Sequence, residues 1–400
     1  MASTKPSKTR KRLFAGIAFL IVIISVSLVL VVAEYIAASM EMKPAQYAVL
    51  EHPVAGWLPK SGKFMATTEE FDVHGSVNSL NMNDREWQEG YADLPSRILA
   101  VGDSHTFAVG ASSNEAWPKR VEAALFGSAG PGVVMNAGVI GYSLGQYLSR
   151  YRMLQEKIKP TFLLVGFSMA TDLYDLVPPE RGGFVYGKSA DRFFFDIDPA
   201  GKLWERVYRK AEVKSANISF NQDISGSLRG FLQELALYRL LKRSDLAMMI
   251  ATYYRPGGKS LWPGMDTALK KNLSEDDRYR WRLAELIIAQ MASEARVRNA
   301  KIAVINIPYI PQVYDEVWEK SFGRRPKIYD RYLGSKRLKQ LCERHGVIFI
   351  DTMDAFVSAA RERKHWLHWP VDGHPTPEGH QVIADTVSAE LKKYFPAPRH

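Results

Sequence analysis

A serine, a histidine and an aspartate stand in contexts that suit nucleophilic attack on an ester or related bond. Ser104 closes the run Ile98-Leu-Ala-Val101-Gly-Asp-Ser, directly beyond four apolar residues of buried-strand type. A serine in that place sits at the mouth of a sheet, where it can meet a substrate. Gly102 permits a tight turn there, and the helix that follows can aim N–H groups at developing negative charge. A hydroxyl alone is a poor nucleophile and needs a base. The best base lies in Asp372-Gly-His-Pro-Thr-Pro-Glu-Gly-His380, just ahead of the last predicted helix. Asp372, two residues before His374, can hold its imidazole in the required tautomer and stabilise the charged form.

Other reactive residue types have competing readings. Gly141-Tyr-Ser143-Leu-Gly145 fits the G-x-S-x-G elbow, which makes Ser143 a rival nucleophile in an α/β-hydrolase fold. That fold puts acid and base on separate loops, whereas Asp372 and His374 are neighbours. It also leaves Gly-Asp-Ser104 without a role. His105 is expected to point away from Ser104 into a surface or packing role, and Asp103 to serve the loop geometry. Asp172 and Asp175 read as solvated or capping residues, and His380 as structural. His365 and His368 have helical ligand spacing, but no acidic or cysteine partner supports them, and Trp366 and Trp369 suggest an aromatic rim. No metal and no cofactor is expected. Cys342 is the only cysteine, so an internal disulfide is excluded, and it reads as a small buried apolar residue.

The elements that must position these residues alternate along the chain. Strands are predicted at Ile98–Val101, Gly132–Gly138, Phe162–Gly166, Lys301–Pro308 and Val347–Asp351. Helices are predicted at Glu115–Leu125, Gln146–Lys159 and Glu378–Tyr394. Short apolar strands alternating with amphipathic helices predict an α/β fold with a parallel sheet covered on both faces. Ligands in such sheets bind beyond the carboxyl ends of the strands. Far more chain separates the third strand from the fourth than a crossover needs. The segment at about 176–300 is therefore read as an insertion, either a cap over the site or extra scaffold. It is expected to hold a hairpin around Asp198-Pro-Ala-Gly201 and helices near Leu228–Lys242 and Asp277–Arg298.

The chain has 400 residues, 46% apolar and 24% charged, which suits a globular protein with a real core. Half of its net charge of +10 comes from Lys5, Lys8, Arg10, Lys11 and Arg12. No track of mixed basic and aromatic residues points to nucleic acid. Leu13–Ala33 runs 21 residues without a charge, long enough to cross a bilayer as a helix. The positive-inside rule keeps residues 1–12 in the cytoplasm as a basic tail and puts everything after Glu34 on the far side, in the periplasm if the cell is bacterial. A cleaved signal peptide is the competing reading, with Ala37, Ala38 and Ser39 small enough for processing, but the apolar run is longer than the usual h-region. Residues 34–95, rich in Pro, Gly and polar types, read as a stalk and lead-in, followed by the hydrolase-type domain at 96–395.

These motifs together resemble the SGNH, or GDSL-like, hydrolase superfamily in its membrane-anchored form, over roughly residues 75–395. Gly102-Asp-Ser104 matches the first block, Asn136-Ala-Gly-Val-Ile-Gly141 the second, and Asp372-Gly-His374 the last. The lead-in Asn78-Ser-Leu-Asn-Met-Asn-Asp-Arg-Glu86 is similar to the segment before the nucleophile strand in anchored members. The resemblance implies a three-layer α/β/α fold of flavodoxin-like type and ester or acyl chemistry by Ser104, His374 and Asp372. It also implies an oxyanion hole made by the Ser104 and Gly141 amides. The family's third block supplies an asparagine to that hole, and here Thr171 stands in its place, with Ser168 as a substitute donor. The family more often places the acid three residues before the histidine, where this chain has Val371. The implied substrate is an ester, for instance an acetyl group on a cell-envelope glycan. An O-acyltransferase with the same triad remains open, as does a catalytically impaired, tethered binding or assembly protein.

Overall fold

The computed structural model describes residues 8–40, 47–68, 70–127, 130–177, 192–208, 265–362, 366–370 and 372–395. The helix expected near Leu228–Lys242, His365 and Val371 lie outside the described residues. The chain divides into two compact units, Met1–Lys43 with Ser219–Pro256, and Pro44–Ile218 with Gly257–His400. In the first, helix α1 spans Lys8–Met40. Its apolar stretch Gly16–Ile36 is 21 residues long and has no buried share. That length corresponds to about 30 Å of helix, the thickness of a hydrocarbon layer.

In the second unit, the described residues within 47–95 are folded, so that part of the segment read as a stalk is ordered structure. Hairpin β1 (Val49–His52) and β2 (Gly56–Pro59) precedes hairpin β3 (Gly62–Thr67) and β4 (Asp72–Val77), both antiparallel. Trp57 and Leu58 are buried in the main core. Residues 47–95 thus belong to the folded body.

The central sheet is built from β5 (Ser96–Gly102), β6 (Gly132–Asn136), β7 (Phe162–Ser168), β10 (Lys301–Ile307) and β11 (Ile348–Asp351). Every pairing is parallel, in the spatial order β11-β10-β7-β5-β6. Counted along the chain this is the 2-1-3-4-5 order of doubly wound sheets, whose switch point lies between the first and third strands, β5 and β7.

Alternation along each strand explains the three layers. Successive side chains leave opposite faces of a strand. Leu99, Val101, Leu163 and Val165 enter one core, against α4 (Leu144–Ile158), α5 (Glu275–Val297) and α6 (Leu333–Arg344). Ile98, Ala100 and Leu164 enter the other, against α3 (Trp117–Phe126), α7 (Met353–Glu362) and α8 (Pro377–Leu391). Both faces are covered, so the strands read as unbroken apolar runs.

The predicted insertion is resolved into two parts. Its hairpin is present as β8 (Arg192–Ile197) and β9 (Leu203–Tyr208), turning through Gly201. It packs on the outer layer: Arg152 of α4 pairs with Glu205 at 3.5 Å, and Tyr279 of α5 hydrogen-bonds Asp196. Helix α5 is not inserted material. It packs against the sheet through Ile287, Ile288 and Met291 and leads into β10, as a crossover helix does.

Candidate active site

Four loops meet at the carboxyl edge of the sheet. After β5, Asp103 caps a single helical turn, α2 (Ser104–Phe107), its carboxylate accepting the His105 amide at 2.8 Å. Ser104 is the first helical residue, where amides lack intrahelical acceptors. The turn sits very close to the strand ends. A Cβ on Gly102 would lie 2.0 Å from the Thr106 hydroxyl oxygen and one on Gly166 2.3 Å from it. The two adjacent strands carry paired glycines, Gly102 and Gly166, where Thr106 occupies the space beside both.

The loop carrying His374 is fixed by a short ladder. Trp369 N–H donates to the His374 carbonyl at 2.8 Å and Thr376 N–H to the Leu367 carbonyl at 2.9 Å. Thr376 then caps α8, accepting the Gly379 amide at 3.2 Å, and Pro377 fills the first helical position. The imidazole two residues ahead of this cap is held at the helix entrance.

Ser104, His374 and Asp372 form one hydrogen-bonded chain. His374 Nδ1 lies 2.5 Å from Asp372 Oδ1, and His374 Nε2 lies 2.7 Å from Ser104 Oγ. An ionised carboxylate only accepts, so Nδ1 carries the proton and Nε2 is left to accept from the serine hydroxyl. The Asp372 carboxyl is held below its usual range: burial opposes this, but the imidazole and amide of His374 prevail. Burial alone would lower the His374 pKa, yet the bond and charge of Asp372, with the charge of Asp103, hold it above the ordinary histidine value. The chain is reached from solvent, with the His374 side chain 21% and that of Asp372 29% exposed.

Gly141 follows β6 and takes φ +75°, backbone that an L side chain rarely adopts. Thr171 follows β7, but its hydroxyl does not face an oxyanion position unengaged. It donates to the buried Asp103 carboxylate at 2.9 Å and lies 2.9 Å from Ser168 Oγ. A single hydroxyl proton shared with a carboxylate goes to the charged acceptor. The oxyanion role expected of Thr171 is thus replaced by support of Asp103. Burial would raise the Asp103 carboxyl, but His105 and Thr171 hold it low and ionised. Thr171→Val should therefore lower unfolding stability by about 1.5–3 kcal/mol, the worth of a hydrogen bond to a charged group. Turnover should fall by far less than the about 10²–10³ that removal of an oxyanion donor costs. Urea unfolding and steady-state kinetics on the same preparation check both.

Ser143 has a different occupation. It is the N-cap residue of α4, hydrogen-bonded to Gln146 Oε1 at 3.1 Å and the Asp175 carbonyl at 3.2 Å. No histidine contacts it among the described residues. The G-x-S-x-G match is a buried helix cap.

His380 and Cys342 are packed inside the fold as expected, whereas Asp172 and Asp175 are more buried than expected. His105 is buried, its Nδ1 3.0 Å from Asp103 Oδ2 and its ring centroid 4.9 Å from that of His374. Adjacent side chains diverge, but all four residues of α2 are buried, so His105 stays inside the fold. Asp172 is not solvated; it is fully buried, accepting the Tyr147 hydroxyl at 2.5 Å and the Ser168 amide at 2.8 Å. Burial, with the charge of Asp103, pushes its pKa well up. Asp175 is buried as well. His368 is buried, with Nε2 3.2 Å from the Pro308 carbonyl, and burial keeps it neutral at a pKa of about 3. His380 is buried and pushed well below the usual histidine value, first by burial. Among the described residues, no group of three or more His, Cys, Asp or Glu is arranged to hold a metal. Cys342 is a buried free thiol whose pKa burial lifts to about 12, so it is not a reactive thiolate.

Neither a protein-family model nor a curated protein matches the sequence. Solved structures overlap it at low identity. An acetylxylan esterase from Geobacillus stearothermophilus is 13% identical, with a TM-score of 0.36, over 76% of this chain and 98% of its own. An alpha/beta hydrolase enzyme from the metagenome of Lake Arreo is 13% identical at 0.37, over 74% and 94%. A psychrotrophic esterase from Pseudoalteromonas sp. is 13% identical at 0.35, over 75% and 98%. With TM-scores below 0.5 these are partial overlaps, and the chemistry rests on this chain's own geometry.

Proposed function

We propose that this chain is an SGNH-type serine esterase, held to a membrane by α1 with its α/β domain outside the cytoplasm. The observation that carries the reading is the chain Ser104 Oγ–His374 Nε2 and Nδ1–Asp372 Oδ1, at 2.7 and 2.5 Å. Ser104 Oγ attacks the ester carbonyl while its proton passes to His374 Nε2. The tetrahedral oxyanion receives the Ser104 and Gly141 amides. The C–O bond to the alcohol breaks, and His374 returns the proton to the leaving oxygen. Water repeats the sequence on the acyl-enzyme, releasing the acid and restoring Ser104.

The five basic residues ahead of the apolar run support the orientation, and the unburied span Gly16–Ile36 supports the tether. From that location the substrate class proposed is an acylated, chiefly acetylated, glycan of the cell envelope. An O-acyltransferase uses the same steps with a sugar hydroxyl in place of water.

The test is to quench the full-length protein in acid shortly after mixing with an aryl acetate. A mass gain of one acetyl group on the peptide that contains Ser104 is expected. An acetylated saccharide, formed at the expense of acetate when glycan is added, would mark the transferase. Hydrolysis with no acetylated serine would overturn the acyl-enzyme route. The engaged hydroxyl of Thr171 favours one other reading, a tethered protein with an impaired site; steady aryl-acetate turnover lost in Ser104→Ala would dismiss it.

A further inference from the structure

The segment between the anchor helix and β5 fastens each of the loops on which the proposed mechanism draws. Trp57 Nε1 donates to the Ile140 carbonyl at 2.8 Å, and the Tyr142 hydroxyl donates to the Trp57 carbonyl at 2.5 Å. This pair grips the loop of Gly141 from both sides. Asn83 Nδ2 donates to the Phe107 carbonyl at 2.6 Å, at the end of the turn that Ser104 begins. The third grip reaches the acid itself. Beyond β3, Thr68 Oγ1 accepts the amides of Glu70 and Phe71, both at 3.1 Å, and so folds the turn that presents Glu70. Glu70 Oε2 then accepts the Asp372 amide at 2.7 Å, across 302 residues of chain. Phe71 packs beside this bond, its ring 5.5 Å from that of Trp369 on the same loop.

The third grip differs from the other two. It bonds the backbone of the residue that orients His374, on a loop whose Asp372 side chain is open to solvent on one side. An N–H to carboxylate bond is charge-assisted and directional. Within the loop the Trp369 and Thr376 rungs flank His374, and the Gly373 amide donates to the Trp369 carbonyl at 2.8 Å; the Glu70 carboxylate holds the Asp372 amide from outside the loop.

We propose that Glu70 is a positioning residue for the Asp372–His374 pair, so that the segment following the anchor helix completes the site. What is positioned rests on the esterase reading; the grip on Asp372 does not. Glu70 touches no reacting atom. Its effect is on placement, where a shift of about 1 Å can cost about 100-fold in rate.

The test compares Glu70→Ala and Glu70→Gln in the full-length protein, with aryl-acetate kinetics and amide hydrogen exchange over residues 366–376. Glu70→Ala should lower kcat by about 10- to 100-fold with KM little changed, and should speed exchange at the Asp372 amide. Glu70→Gln keeps an acceptor oxygen and should restore most of both. Thermal unfolding should hardly move, since Glu70 lies in a half-buried surface turn. Wild-type kcat and wild-type exchange in Glu70→Ala would overturn the proposal and leave the esterase reading intact. Equal loss in the Ala and Gln variants would also overturn it, because the acceptor would then not be what matters. Faster exchange in Glu70→Ala alone, in a protein that never hydrolyses the ester, would uphold the grip and sink the esterase reading.

Discussion

Ser104→Ala is expected to abolish ester hydrolysis, with kcat falling by on the order of 10⁶, as when a serine nucleophile is removed from a working triad. Among the described residues, Ser168 and Ser143 are engaged elsewhere. Ser168 Oγ is tied to Thr171, and Ser143 caps α4 beneath a buried surface. Ser143→Ala should keep kcat within a few-fold and instead cost about 0.5–2 kcal/mol of stability, the worth of an N-cap. The pair of variants therefore separates loss of chemistry from loss of a helix cap. Steady-state kinetics beside urea unfolding reads both. A Ser104→Ala protein that keeps more than a few per cent of wild-type turnover would remove Ser104 from the mechanism.

The second large effect is at Asp372. Asp372→Asn keeps the shape but lets the amide donate to Nδ1, which favours the wrong tautomer at Nε2. A loss of about 10⁴ in kcat is expected from that change. The pH profile carries an independent sign. His374 acts as base only when neutral, so kcat/KM should rise with pH through its pKa. Burial opposes protonation, but Asp372 and the charge of Asp103 hold that pKa above the ordinary histidine value. The wild-type acidic limb should thus lie above about 6.5. Removing the Asp372 charge leaves burial less opposed, so the residual activity of Asp372→Asn should have its limb at lower pH. A limb that stays in place would mean Asp372 is not the partner of the titrating group.

The sequence made the sheet legible because buried parallel strands are short apolar runs with a predictable spacing. Ile98–Val101 and Phe162–Gly166 lie inside β5 and β7, and Gly102 marks the end of the first. The pairing of Ser104 with His374 was legible too, since a serine after a strand and Asp-x-His before a helix both fall at loop positions. What was not legible depends on distant partners. Asp172 reads as a solvated charge until Tyr147 and the Ser168 amide are brought to it. Thr171 reads as a weak oxyanion donor until Asp103, from another strand end, claims its proton. The lead-in reads as a stalk because β1 to β4 are only four to six residues long and mix polar with apolar types. No periodicity within 47–95 announces Trp57, Glu70 or Asn83 as contacts of the site loops.

Ser104, activated by His374, is the proposed nucleophile. The most direct measurement is covalent labelling of the full-length protein with a fluorophosphonate, followed by mass mapping of the adduct. Labelling is expected on Ser104, absent in Ser104→Ala, strongly slowed in Asp372→Asn and unchanged in Ser143→Ala. An adduct that persists in Ser104→Ala and disappears in Ser143→Ala would contradict the account.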